Sequence, residues 1–156
     1  MAKHTISATA LIPAPSDQVY AIIADYRDGH PRILPKPHFV GVVVEEGGVG
    51  TGTVIRFQMR LLGRLQTFRA AITEPEPGRV LVETDLQTGA VTTFTVEPRA
   101  DAQQAAVTIA TTTTVRAGLL GRLEAWLATR LLRPIYVREL AQLAAVAAQN
   151  ENQQTM

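Results

Sequence analysis

The sequence has no cysteine. Disulfide scaffolds, thiolate zinc sites and cysteine nucleophiles are therefore excluded, and the compartment is left open. Charge of one sign is also lacking: 15 Lys and Arg against 14 Asp and Glu leave a formal net charge of +1. A nucleic-acid surface needs a basic patch or stripe, so nucleic acid is not an expected partner. No apolar run reaches the length that spans a bilayer, and "MAKHTISATALIPAP" alternates polar and apolar residues without the apolar core of a signal peptide. The three histidines have no carboxylates beside them at metal-ligand spacing, so neither metal nor cofactor is expected. These absences point to a cytoplasmic protein with no stable membrane insertion. They leave its oligomeric state open.

What is present reads as one domain over 1–148, followed by a polar tail, 149–156. "HTISATALI" places Ile6, Ala8, Ala10 and Ile12 on one face of a strand. "PAPSDQVYAIIADY" is a helix beginning at Ser16 or Pro15, with Val19, Ile22, Ile23 and Tyr26 in one stripe. "RDGHPRILPKPHF" carries three prolines and a glycine, which permit at most one further helical turn around 31–34. From Phe39 to Thr114 the chain is strand and turn, six segments without intervening helix, as in an antiparallel meander. After Gly118 comes a long helix of about 30 residues, rich in Leu, Ala, Arg and Glu. Leu120, Leu123, Leu127 and Leu131 form its expected core stripe, Pro134 an expected kink, and Tyr136, Leu140, Leu143 and Ala147 a second stripe.

"EEGGVGTGTVIRF", 45–57, raises the question of a phosphate loop. Such a loop opens a helix whose amides and dipole receive the anion. Here a period-two strand follows and no Gly-Lys-Ser/Thr appears, so the glycines read as a turn and bulge between strands.

Chemistry-bearing residues are sparse. Tyr26 and His30 could share a helical face near one another and serve as proton donors or as anchors for a polar group, since histidine titrates near neutral pH. They are the only catalytic candidates; the ordinary role of such a tyrosine is ring packing. His4 reads as solvated. Arg56, Arg60 and Arg69 fall on the outer face of the strands, and Arg116, Arg122, Arg130, Arg133 and Arg138 give the long helix a basic flank against Glu124 and Glu139, which is ordinarily solubilising but also suits a membrane surface or a protein partner. Trp126 lies off the leucine stripe. No Ser-His-Asp arrangement and no paired-carboxylate motif is recognisable.

The order strand, helix, short helix, six strands, long helix, together with "IPAPSDQVYAIIADY", "GVGTGTVIRF" and "ITEPEPGRVLVE", resembles the START-like (Bet v 1-like, SRPBCC) superfamily, nearest its polyketide cyclase/dehydrase and lipid-transport group. The resemblance implies an α+β helix-grip fold: a curved seven-stranded antiparallel sheet around a long C-terminal helix, two short helices between strands 1 and 2, and a cavity between sheet and helix. The small residues Ala8, Ala10, Ala70 and Thr111 on the inward face agree with unfilled space there. The expected function is binding or transport of a hydrophobic small molecule such as a lipid, isoprenoid quinone or polyketide. The alternative is an aromatase/cyclase or dehydratase working in the same cavity. Expected ligand contacts are Tyr26, His30, Ile55, Phe57, Met59, Phe68, Phe94, Ile109, Leu123, Leu127 and Leu131, with Tyr26 and His30 orienting a polar head at the mouth.

Overall fold

Period-two alternation sorts the strand residues into two faces, and the computed structural model, which describes residues 1–154, closes the inner faces over one long helix. The elements are β1 (Ala2–Ile12), α1 (Ser16–Ala24), α2 (Gly29–Ile33), β2 (Phe39–Glu46), β3 (Val54–Leu61), β4 (Arg64–Glu76), β5 (Val80–Asp85), β6 (Val91–Pro98), β7 (Ala105–Val115) and α3 (Gly118–Gln154). They form a single seven-stranded antiparallel sheet in the order β1-β7-β6-β5-β4-β3-β2. This is the α+β helix-grip architecture.

Since β1 and β2 lie at opposite edges of the sheet, the α1–α2 segment must cross its width. Pro15 precedes α1, whose residues Val19, Tyr20, Ile22, Ile23 and Ala24 are buried. The one-turn α2 spans 29–33, two residues earlier at its start than the proline pattern suggests. On β1, Ile6, Ala8 and Ile12 face the core while Thr5 and Thr9 pair with Thr112 and Thr108 of β7 through 2.9 Å hydroxyl contacts on the outside. Such cross-strand threonine pairs each add a few tenths of a kcal/mol, on the order of 0.2–1. Arg56, Arg60 and Arg69 are exposed, and Arg69 pairs with Glu45 at 2.5 Å.

α3 departs from expectation in three ways. Its N-terminal leucine stripe is outward: Leu120 and Leu123 are exposed at 60% and 59%, Leu127 at 41%, and Leu131 is only half-buried. The second stripe is as expected, with Tyr136, Leu140, Leu143 and Ala147 buried, and Gly121, Ile135, Glu139 and Val146 join it. Small residues fit where the helix approaches a strand closely, and His4 Nε2 meets Thr129 Oγ1 at 2.8 Å across this contact with β1; His4 is therefore half-buried rather than solvated. Finally, α3 runs on to Gln154 through the polar segment expected to be a tail, because each added residue gains a hydrogen bond once the helix exists. Residues 155 and 156 of that tail lie outside the described residues. Pro134 sits inside the continuous helix.

Candidate functional site

The glycine segment at 47–52 is a bracket for the helical crossing. Gly48 O accepts from Tyr26 N at 2.8 Å, Gly50 N donates to Ala24 O at 3.0 Å, and Asp25 bridges to Val49. Thr51 N donates to Glu74 Oε1 at 2.7 Å, and Tyr20 OH donates to Glu74 Oε2 at 2.6 Å. Gly50 has φ +65°, and a Cβ there would lie 2.2 Å from Glu74 Oε1. Positive φ and close approach together explain glycine at this position. The loop thus fixes the end of α1 and, with it, Tyr26.

From that anchor, Tyr26 and His30 stack with ring centroids 4.3 Å apart and planes 18° from parallel. Phe94 of β6 meets the His30 ring edge-on at 5.4 Å. His30 Nδ1 lies 2.7 Å from Ile23 O. A carbonyl only accepts, so Nδ1 carries the proton and, in the neutral ring, Nε2 presents a lone pair. Nε2 faces two carboxyls, Glu83 Oε2 at 3.6 Å and Glu139 Oε1 at 3.9 Å. Tyr26 OH donates to Glu83 Oε2 at 2.5 Å. A second polar ridge runs through three hydroxyls: Thr92 to Thr111 at 2.7 Å and Thr111 to Tyr136 at 2.5 Å.

Burial governs the protonation of this cluster. It holds the His30 imidazole below its ordinary range against the opposing pull of Glu83. It raises Glu139 well above the usual carboxyl range, and the neighbouring Glu83 charge adds to the rise. Tyr26 is pushed well up by burial and then by Glu83, so its phenol remains a donor. Burial pushes Tyr136 up to about 12.

His30, Glu83, Glu139 and Tyr136 form the deep end of a cavity of about 380 Å³ between sheet and α3. Ile55, Phe57 and Met59 of β3, Phe68 and Ala70 of β4, Phe94 of β6 and Ile109 of β7 line it, with His30, Leu34, Phe39 and Val42 closing further sides. Phe57 and Phe68 stack at 5.3 Å. The exposed lining residues Gln66 and Thr88 mark the outer end, whereas His30, Phe94 and Glu139 are buried. His30 therefore lies at the deep end, not at the mouth. Tyr26 does not line the cavity; it supports His30 and Glu83 from behind.

Of the α3 residues expected at the ligand, Leu123, Leu127 and Leu131 are absent from the lining, and Ala128, Leu132, Tyr136 and Glu139 take that place. Two of the most chemically informative residues are Glu83, for which the sequence carries no expectation, and Glu139, which reads there as part of a solvated flank but is buried at the cavity. Glu83 shares the inward β5 face with Leu81 and Asp85, and Glu139 stands three residues after Tyr136 beside the buried Leu140, so an acid on an otherwise core-facing register was the available signal. Among the described residues no group of three or more His, Cys, Asp or Glu is arranged to hold a metal ion, and no helix is long and apolar enough to cross a membrane.

The family model described as polyketide cyclase/dehydrase and lipid transport matches residues 3–148. The chain belongs to this family. Among solved structures, the solution structure of a protein named KanY is 30% identical, covering 95% of this chain and 99% of that one with a TM-score of 0.81. The Zhui aromatase/cyclase from Streptomyces sp. R1128 is 20% identical over 95% of each chain, with a TM-score of 0.77. A START superfamily protein from Mycobacterium smegmatis is 16% identical over 96% of this chain and 99% of that one, with a TM-score of 0.67. The last two likenesses speak to the fold alone. No curated protein matches the chain.

Proposed function

We propose that this family member binds a hydrophobic small molecule in the cavity between sheet and α3, as a carrier. The observation that carries the reading is the cavity itself: about 380 Å³ of space walled by Ile55, Phe57, Met59, Phe68, Phe94, Ile109 and Leu132. Protein interiors normally fill their volume, so an apolar hollow of this size favours a guest. At about 25 cal/mol per Å², burying roughly 300 Å² of ligand apolar surface yields about 7 kcal/mol before association costs.

A titration with Nile red, a neutral apolar fluorophore, tests this. The expected result is a saturable, one-to-one rise in emission that disappears in Ala128→Trp, a variant that fills the cavity from α3, while its melting temperature stays near the parent value. No saturable rise, or an undiminished rise in Ala128→Trp, would count against the carrier reading.

The second reading, an aromatase/cyclase or dehydratase, draws support from the polar cluster at the deep end. The His30 Nε2 lone pair faces the cavity and could take a proton from an enolising ketone, with Tyr26 and Glu83 holding the ring and its neighbour in place. Turnover of a poly-ketone substrate that survives in His30→Gln would remove this reading.

A further inference from the structure

The ionisable groups that line the cavity are the carboxyls of Glu83, Asp85 and Glu139, the His30 imidazole and the Tyr136 phenol, with no lysine or arginine among them. Three carboxyls therefore share the apolar space with one imidazole. Asp85 is engaged at the β5–β6 turn, where its Oδ1 accepts from Gln87 N at 2.8 Å and from Thr88 N at 3.3 Å. Glu83 accepts from Tyr26. Glu139 differs from both. It is 3% exposed, lines the cavity, and no hydrogen bond reaches it among the described residues; its nearest charged partner is His30 Nε2 at 3.9 Å, beyond hydrogen-bond reach.

Buried carboxyls ordinarily have hydrogen-bond partners, whereas the Glu139 carboxyl opens onto the cavity, where a ligand can supply them. Three acceptors converge here: Nε2 of His30, Oε2 of Glu83 and Oε1 of Glu139, the first being 3.6 and 3.9 Å from the other two. A carboxylate or phosphate brought to this end would meet like charge and no counter-cation. A primary ammonium carries three donors and the opposite charge.

We infer that the deep end of the cavity is a subsite for a primary ammonium group on an apolar body, received by Glu139, Glu83 and His30 Nε2. This rests on the proposed carrier reading and specifies which class of ligand the cavity selects. Glu139 is the discriminating residue, since of the three carboxyls it alone accepts no hydrogen bond among the described residues.

The test is isothermal titration of the full chain at neutral pH with three ten-carbon probes, decylamine, 1-decanol and decanoate, each below its micelle-forming concentration. The expected order is decylamine tightest, by about tenfold or more over the alcohol as a charge-assisted contact implies, and decanoate weakest. In Glu139→Gln the advantage of the amine falls severalfold, while 1-decanol binds as before and so reports that the variant is folded. If the alcohol matches the amine, or decanoate binds best, the ammonium subsite is overturned and the apolar carrier reading stands. If none of the three binds, both are overturned.

Discussion

Replacing Glu139 with glutamine should stabilise the empty protein at neutral pH. The carboxyl is 3% exposed, has no hydrogen bond among the described residues, and is raised well above its ordinary value of 4.5 first by burial and then by Glu83. An acid whose folded value is raised contributes stability that is complete below the unfolded value and is lost as pH rises through the folded one. At pH 7, roughly 2.5 above the ordinary value, this loss has a ceiling of about 3.4 kcal/mol, at about 1.36 kcal/mol per pH unit. Because the side chain faces a cavity rather than solid core, we expect Glu139→Gln to recover about 1–2 kcal/mol, in the range typical of relieving a strained functional position. For a chain of this size that is a rise of roughly 3–6 °C in melting temperature. Thermal unfolding of parent and variant across pH 4.5 to 7 provides the assay. The gain should shrink steadily with acidification and nearly vanish near pH 4.5. Equal stability at pH 7, or a gain independent of pH, would refute the claim that burial raises the Glu139 carboxyl.

His30 works in the opposite direction: its folded value is lowered, chiefly by burial, so its contribution is present above 6.5 and lost as pH falls. Stability of His30→Gln should therefore decline less steeply than the parent between pH 6.5 and 5, a slope read by urea unfolding; parallel curves would contradict it. Leu140→Ala, at a site 2% exposed, should cost about 2–5 kcal/mol in the same assay. Leu123→Ser, at a site 59% exposed, should stay within about 0.5 kcal/mol of the parent; a large loss there would mean the two faces of α3 are exchanged. Gly50→Ala should destabilise by about 1–2 kcal/mol or more, through its positive φ and the contact of a Cβ with the Glu74 carboxyl; an unchanged midpoint would contradict this.

Much of this architecture could be read directly from residue patterns, and the failures have one source. Alternation such as Ile55, Phe57, Met59 against Arg56, Gln58, Arg60 assigns faces without ambiguity, because a strand has only two sides. The glycines at 47–52 could be recognised as a turn, but not as the bracket that holds Tyr26, since that contact joins residues distant in sequence. On α3 the period of 3.6 makes Leu120, Leu123, Leu127 and Leu131 the expected core stripe of the N-terminal half. The helix instead turns Ala128 and Leu132 inward and leaves Leu119, Leu120 and Leu123 at the surface. Maximum hydrophobicity identifies the buried face only where the core is solid. Beside a cavity, small residues and even Glu139 occupy inward positions. Glu139 reads as a flank residue, and Glu83 carries no expectation, for a related reason: they lie 56 residues apart and become neighbours only through His30.

The most direct measurement is methyl-detected NMR of the protein with Nile red added stepwise. The account predicts saturating shifts at the methyl groups of Ile55, Ile109 and Leu132, which line the cavity on three different elements. Shifts confined to Leu119, Leu120 and Leu123 on the outer face of α3, with those three cavity residues unmoved, would contradict it.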